Sequence, residues 1–198
     1  GVSDNMKPDP YDTKMAKKLM AEAGYPDGFK MTIHGPNDRY INDAKIAEAL
    51  AQMLNRVGID ASVETMPKAV YFKRASRGGP NKSPEFSFML LGWGAGSGEA
   101  SSPLKALLHT YDKSKGLGAA NRGRHTDAKV DALIQKALAT VDADARGKLL
   151  AEATEKAVGE NYGVIPMHYQ VNTWAAKKGY SYLPRTDERT IVTGLSGS

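Results

Sequence analysis

The residues with most scope for chemistry run Leu91-Gly92-Trp93-Gly94-Ala95-Gly96-Ser97-Gly98-Glu99. Glycines at 92, 94, 96 and 98 let the backbone approach a bound molecule closely. The Trp93 indole offers a flat stacking surface, and Glu99 a partner for a cationic group. The competing reading is a flexible turn with Trp93 packed in the core. The run lacks the G-x-G-x-x-G spacing of a dinucleotide site, and no Gly-Lys-Ser/Thr follows to make a phosphate loop. No G-x-S-x-G elbow is present, so Ser97 has no base or oxyanion hole in prospect. Nothing in the sequence supports catalysis, and no cofactor is expected.

Two other segments merit weighing. Asn121-Arg122-Gly123-Arg124 precedes a predicted helix, where an amide and guanidinium groups can take a carboxylate, although a solvated loop is the favoured reading. Ile165-Pro166-Met167-His168-Tyr169 with Thr173-Trp174 could line a cleft or pack in a core. His34, His109, His125 and His168 are far apart and show no metal-ligand spacing, and the absence of cysteine removes disulfides, a thiolate nucleophile and Cys-ligated zinc. The net charge of +5 raises the question of an anionic partner. The bases Lys14, Lys17, Lys18, Lys73, Arg74, Arg77, Arg122, Arg124, Lys177 and Lys178 fall in small groups among acids, without alternating aromatics, so a solvated basic surface is expected and no nucleic-acid site.

The elements that must position these residues alternate in type. Asp12 is placed to cap a helix with Met15, Ala16, Leu19, Met20 and Ala23 on its apolar side, ending at Gly24. Phe29 to His34 alternates as a strand, Ile46 to Val57 has helical spacing closed by Gly58, and Ile59 to Met66 is a second strand. Pro67 fits the first turn of a third helix carrying Val70, Tyr71 and Phe72. The apolar run Phe86 to Leu91 predicts a central strand covered on both faces, so the glycine loop would leave its carboxyl end, where open α/β sheets bind ligands. Further on come a short helix near Leu104 to Thr110, a glycine-rich loop through Arg124, and two helices, the second starting near Asp142, that look like cover for the sheet. Val164 to Trp174 predicts extended structure. The fold class is α/β, a mainly parallel sheet flanked by helices. No apolar stretch is long enough to span a membrane, and the polar first ten residues hold no secretion signal, so any export signal is expected outside this sequence.

Taken in order, Tyr11-Asp12, Ala23-Gly24-Tyr25-Pro26-Asp27-Gly28-Phe29, the helix ending Val57-Gly58-Ile59, Gly92-Trp93, Asp131-Ala132-Leu133-Ile134, Ile165-Pro166 and Trp174-Ala175 resemble the family 5 extracellular solute-binding proteins, the dipeptide, oligopeptide, nickel and glutathione group. Family members are about twice this length or more and have two lobes. The resemblance therefore implies a periplasmic-binding-protein type II lobe: residues 1–176 as the C-terminal lobe and 177–198 as a segment returning to the missing first lobe. It implies capture of a peptide or peptide-like solute for delivery to ABC permease subunits, outside the cytoplasm, periplasmic or lipid-anchored, by a monomer.

Within that resemblance Trp93, Gly94, Gly96 and Ser97 would touch the solute, Glu99 would offer charge, and Asn121 with Arg122 would contribute. Peptide-binding members carry an aspartate three residues after the tryptophan, where Gly96 stands here, which removes the partner of a free peptide amine. A lone lobe cannot close on its solute, so weak binding by this chain alone is expected. Two rival expectations are an enzyme domain on a doubly wound sheet with the glycine loop at a cofactor, and an interaction module using the basic surface.

Overall fold

The computed structural model describes residues 1–185, 187 and 189–197, and these divide into two compact units, Gly1–Ile165 and Pro166–Ser198. The first unit opens with helix α1 (Thr13–Glu22), started by Asp12, whose carboxylate accepts from the Lys14 and Met15 backbone N–H groups. Strand β1 (Lys30–Pro36), helix α2 (Asp43–Asn55), strand β2 (Asp60–Met66) and helix α3 (Lys68–Arg77) follow. The two strands pair in parallel from Lys30 opposite Asp60 to Pro36 opposite Met66, the geometry that a β-α-β crossover requires.

Their faces are covered unequally. On one, Ile33, Ala61 and Ile59 meet Ala47 and Ala51 of α2, with Met20 of α1 and Phe88 at the margin. On the other, Tyr71 and Ala75 of α3 bury Met66 and Phe86. Beside this second cluster Arg74 pairs with Glu64 and Glu85, each at 2.6 Å.

The expected third strand is reduced to a single parallel bridge. His34 donates its N–H to the Phe88 carbonyl at 3.0 Å and accepts from Leu90 N–H at 2.8 Å, pairing His34 with Met89. The apolar run packs as foreseen, since Phe86 and Leu90 are buried, but no second neighbour on its outer side extends the ladder among the described residues. β1 thus lies between β2 and the 86–90 segment.

α1 departs from expectation in another way. Its apolar side is largely uncovered: Ala16 and Met20 are half-buried, but Met15 is 49% and Leu19 55% exposed, and no residue of the helix is buried.

The later helices do not cover the sheet. Helix α4 (Ser101–Pro103) continues into a wider π-type turn, Leu104–Leu108. Helices α5 (Ala128–Ala139) and α6 (Ala143–Thr154), capped by Asp127 and Asp142, pack on it. Leu104, Leu108, Val130, Ile134, Leu150 and Ala153 form a core of their own, with no strand residue in it. The short sheet already has α2 and α3 on its faces, so the helices after Gly98 bury their stripes against one another. Extended residues at the start of the chain lie along this helical group: Met6 packs on the cluster and Asn5 bonds Glu155 at 3.0 Å.

In the second unit, β3 (Tyr180–Tyr182) and β4 (Leu195–Gly197) pair antiparallel. The Trp174 indole N–H donates to Thr190 Oγ1 at 2.9 Å. Arg185 clamps the Asp187 carboxylate and draws its pKa down to about 2. Residues 166–176 make no backbone hydrogen bond among the described residues. The α/β class therefore stands as a mixed fold with a small parallel sheet and helices around it.

Candidate functional site

β1, β2 and the 86–90 segment run in the same direction, so their carboxyl ends, Pro36, Met66 and Leu90, come to one edge. Loops 37–42 and 91–99 and the start of α3 meet there. Asp43 is buried and organises the first loop: its carboxylate accepts from the N–H groups of Arg39 (2.9 Å), Tyr40 (3.0 Å) and Ala44 (2.9 Å). Asp38 accepts from Lys68 N–H at 2.6 Å, tying the loop to the start of α3.

Tyr40 joins the two loops. Its hydroxyl donates to the Gly92 carbonyl at 3.3 Å, and its ring lies so close that a Cβ at position 92 would sit 2.6 Å from Cε1. This contact, rather than backbone flexibility, is what demands glycine at 92. Trp93 follows directly and is 45% exposed, so its indole is available at the surface and is not part of the core. Open space surrounds the Cα positions of Gly94 and Gly96. Ser97 turns its hydroxyl back to the Glu99 carbonyl at 3.4 Å.

The charges at this edge are unequal. Glu99 is held by Ser101 Oγ at 2.6 Å and by Arg146 Nε at 3.0 Å, and these bonds keep its pKa below the ordinary value of 4.5. Its charge is thus already met within the protein. Asp38 and Asp43 are occupied by backbone N–H groups. Arg39 has no carboxylate partner among the described residues, and its guanidinium lies 4.9 Å from the centre of the Tyr40 ring. A guanidinium, two aromatic rings and bare glycine backbone are suited to an anionic or carboxylate-bearing molecule with flat or extended parts. The glycine loop alone does not reveal Arg39 and Tyr40. A signal existed, because they too follow the carboxyl end of a parallel strand.

The structure does not bring the other two predicted residues to this edge. Asn121 is buried and spends its side chain on its own loop, donating to the carbonyls of His109 (3.0 Å) and His125 (2.7 Å) and accepting from His125 N–H (2.9 Å). Arg122 donates to Ser76 Oγ at 3.0 Å and lies over the Phe72 ring on the flank of α3. Two shallow recesses lie elsewhere, one along Lys30, Thr32 and Ser62 of the strands and one along α3, and neither includes a residue of 91–99. No group of three or more His, Asp or Glu side chains is arranged to hold a metal among the described residues.

Comparison with known proteins shows which family the chain belongs to. The sequence profile of the bacterial extracellular solute-binding proteins, family 5, middle region, matches residues 1–115. The chain belongs to this family. Heme-binding protein A of Haemophilus influenzae is 30% identical over 157 residues, 76% of this chain and 26% of that protein. The glutathione-binding protein GsiB of Escherichia coli K12 is 30% identical over 155 residues, 77% of this chain and 29% of that protein. The solved structure of HbpA2 from Haemophilus parasuis superposes over 100% of this chain and 38% of its own, with a TM-score of 0.79 at 25% identity. The chain therefore spans under a third of those two relatives' length.

Family 5 is a family of non-enzymatic transporter binding proteins, which sets aside the expectation of an enzyme domain. No helix among the described residues is long and apolar enough to cross a membrane.

Proposed function

We propose that this chain is one lobe of a two-lobed solute-binding protein of an ABC importer, and that its carboxyl edge holds a peptide-like solute through a carboxylate. The observation that carries the reading is the Tyr40 bridge, which sets the Arg39 guanidinium, without a carboxylate partner among the described residues, beside the Gly92-Trp93 turn. In this arrangement Trp93 stacks on the solute, the backbone of 94–97 lies along it, and Arg39 takes its anionic end. Glu99 acts as an anchor for the loop through Arg146, not as a ligand for an amine. With Gly96 where an amine-binding acid would stand, the edge favours acidic peptides over simple free-amine ones. Glutathione, a tripeptide with two carboxylates, is the natural first probe, given the likeness to GsiB.

The lobe comprises residues 1–176, and 177–198 return to the first lobe. Support comes from the exposed apolar side of α1 and from residues 166–176, whose backbone lacks partners here and would gain them from the remainder of a longer protein. Closure of both lobes would enclose the solute and present it to permease subunits outside the cytoplasm, in the periplasm or at a lipid anchor.

The test is calorimetry with glutathione on the full-length parent. Arg39→Ala and Trp93→Ala should each weaken binding by about tenfold or more, with melting temperature unchanged in the Arg39 variant, whose side chain is exposed, and the Trp93 variant still folded by circular dichroism. The isolated chain should bind weakly or undetectably. Wild-type affinity in both variants would sink the site assignment, and micromolar binding by the lone chain would sink the two-lobe requirement.

A further inference from the structure

Bases that are scattered in the sequence gather around α3 in the fold. Lys73 and Arg77 stand one turn apart on its outward ridge, exposed, and neither has a carboxylate partner among the described residues. Between them and Gly78 runs a shallow recess with Ala69 and Val70 as its apolar part, Val70 being 46% exposed.

The acids that could neutralise this ridge are taken. Glu64 and Glu85 are both bound by Arg74, whose hydrogen bonds hold their pKa values low and keep the pairs ionised. The flank is basic as well, since Arg122 is held by Ser76 and Phe72, and Arg124 by the Pro84 carbonyl.

We propose that this face of α3 docks an acidic amphipathic helix of a protein partner, apolar side chains resting on Val70 and Ala69 and carboxylates one turn apart meeting Lys73 and Arg77. Side chains four residues apart on a helix stand about 5–6 Å apart, so two carboxylates at the same interval on the partner match the two cations. Ten residues of α3 give a contact roughly 15 Å long, two to three turns. A membrane surface fits less well, because insertion needs several protruding large apolar groups beside the bases, whereas the apolar part of this recess is Val70 and Ala69 alone. The face uses neither Trp93 nor Arg39, and so stands or falls apart from the solute reading.

The test is fluorescence anisotropy of the whole chain with a labelled synthetic helix carrying leucines on one side and glutamates four residues apart. A control peptide has serine for each leucine, and phosphatidylglycerol vesicles form a third arm. The leucine-glutamate helix should bind best, with Lys73→Glu/Arg77→Glu and Val70→Asp each weakening it by about tenfold or more. Circular dichroism should confirm that both variants are folded, and Lys73→Gln/Arg77→Gln should show a smaller loss. Equal binding by the variants, equal binding of the serine control, or a preference for the vesicles would overturn the proposal.

Discussion

The molecule has two glycine-rich loops, and they use polar side chains in opposite ways. In 109–127 the polar groups turn inward: Asn121 ties His109 to His125, His125 Nδ1 contacts the Leu108 carbonyl at 2.7 Å, and Asp131 accepts from Thr110 N–H at 2.8 Å. In 91–99 side chains distant in sequence hold the two ends, Tyr40 at Gly92 and Arg146 at Glu99, while between them the exposed residues 92–98 make only local turn bonds among the described residues: Gly96 N–H to the Gly94 carbonyl at 3.1 Å, Gly98 N–H to the Ala95 carbonyl at 2.9 Å, and the Ser97 hydroxyl to the Glu99 carbonyl. Glycine content alone does not separate a braced loop from an open one. What separates them is whether the side chains satisfy the loop's own backbone or leave it for another molecule.

The comparison can be broken most forcefully at Asn121. Asn121→Ala removes three hydrogen bonds to backbone groups, one buried and two part-buried, and urea unfolding should show a loss of about 2–3 kcal/mol. A loss under about 0.5 kcal/mol would mean that the loop is not braced in this way. Gly92→Ala comes next. The added methyl meets the Tyr40 ring, and a cost of about 1–2 kcal/mol is expected, most of it relieved in the double variant with Tyr40→Ala. Gly94→Ala, with open space around it, should change stability by less than about 0.5 kcal/mol.

The smallest effect is electrostatic. Glu99 has a folded-state pKa below 4.5, so its contribution is complete above that value and is lost as pH falls through the depressed one. Melting temperature followed from about pH 6 to pH 3 should fall less steeply below 4.5 in Glu99→Gln than in the unaltered chain. Parallel curves would show that the Arg146 pair does not anchor the loop.

Local rules carried most of the fold. Asp12 and Asp142 announce two helix starts because capping depends on neighbours within three residues. The alternation around Ile33 marks β1 for the same reason. What the chain did not disclose depends on partners distant in sequence. The 86–91 run is apolar enough for a central strand, but a central strand needs a neighbour on each side, and among the described residues it meets β1 alone, through one bridge. Val70 looks like a core residue beside Tyr71 and Phe72, yet the rotation of α3 sends it outward. At the site, Trp93 and its glycines were visible as a motif. Arg39 and Tyr40 were not, because the contact that recruits them spans 52 residues. Asn121 was misleading because a polar residue between glycines has the same composition whether it serves a ligand or its own loop.

The backbone of residues 166–176 has a consequence for the chain in solution. Met167, Tyr169 and Val171 alternate with polar residues and are exposed, Tyr169 almost wholly at 98%. An extended stretch whose N–H and C=O groups have no backbone partner among the described residues, with apolar residues along one side, is a template for pairing with its own copies. Pro166 blunts only the beginning of it, since proline lacks the N–H that a ladder needs. Concentrated solutions of this chain should therefore aggregate through that stretch, and lysine at Tyr169 and Val171 should delay the onset of turbidity.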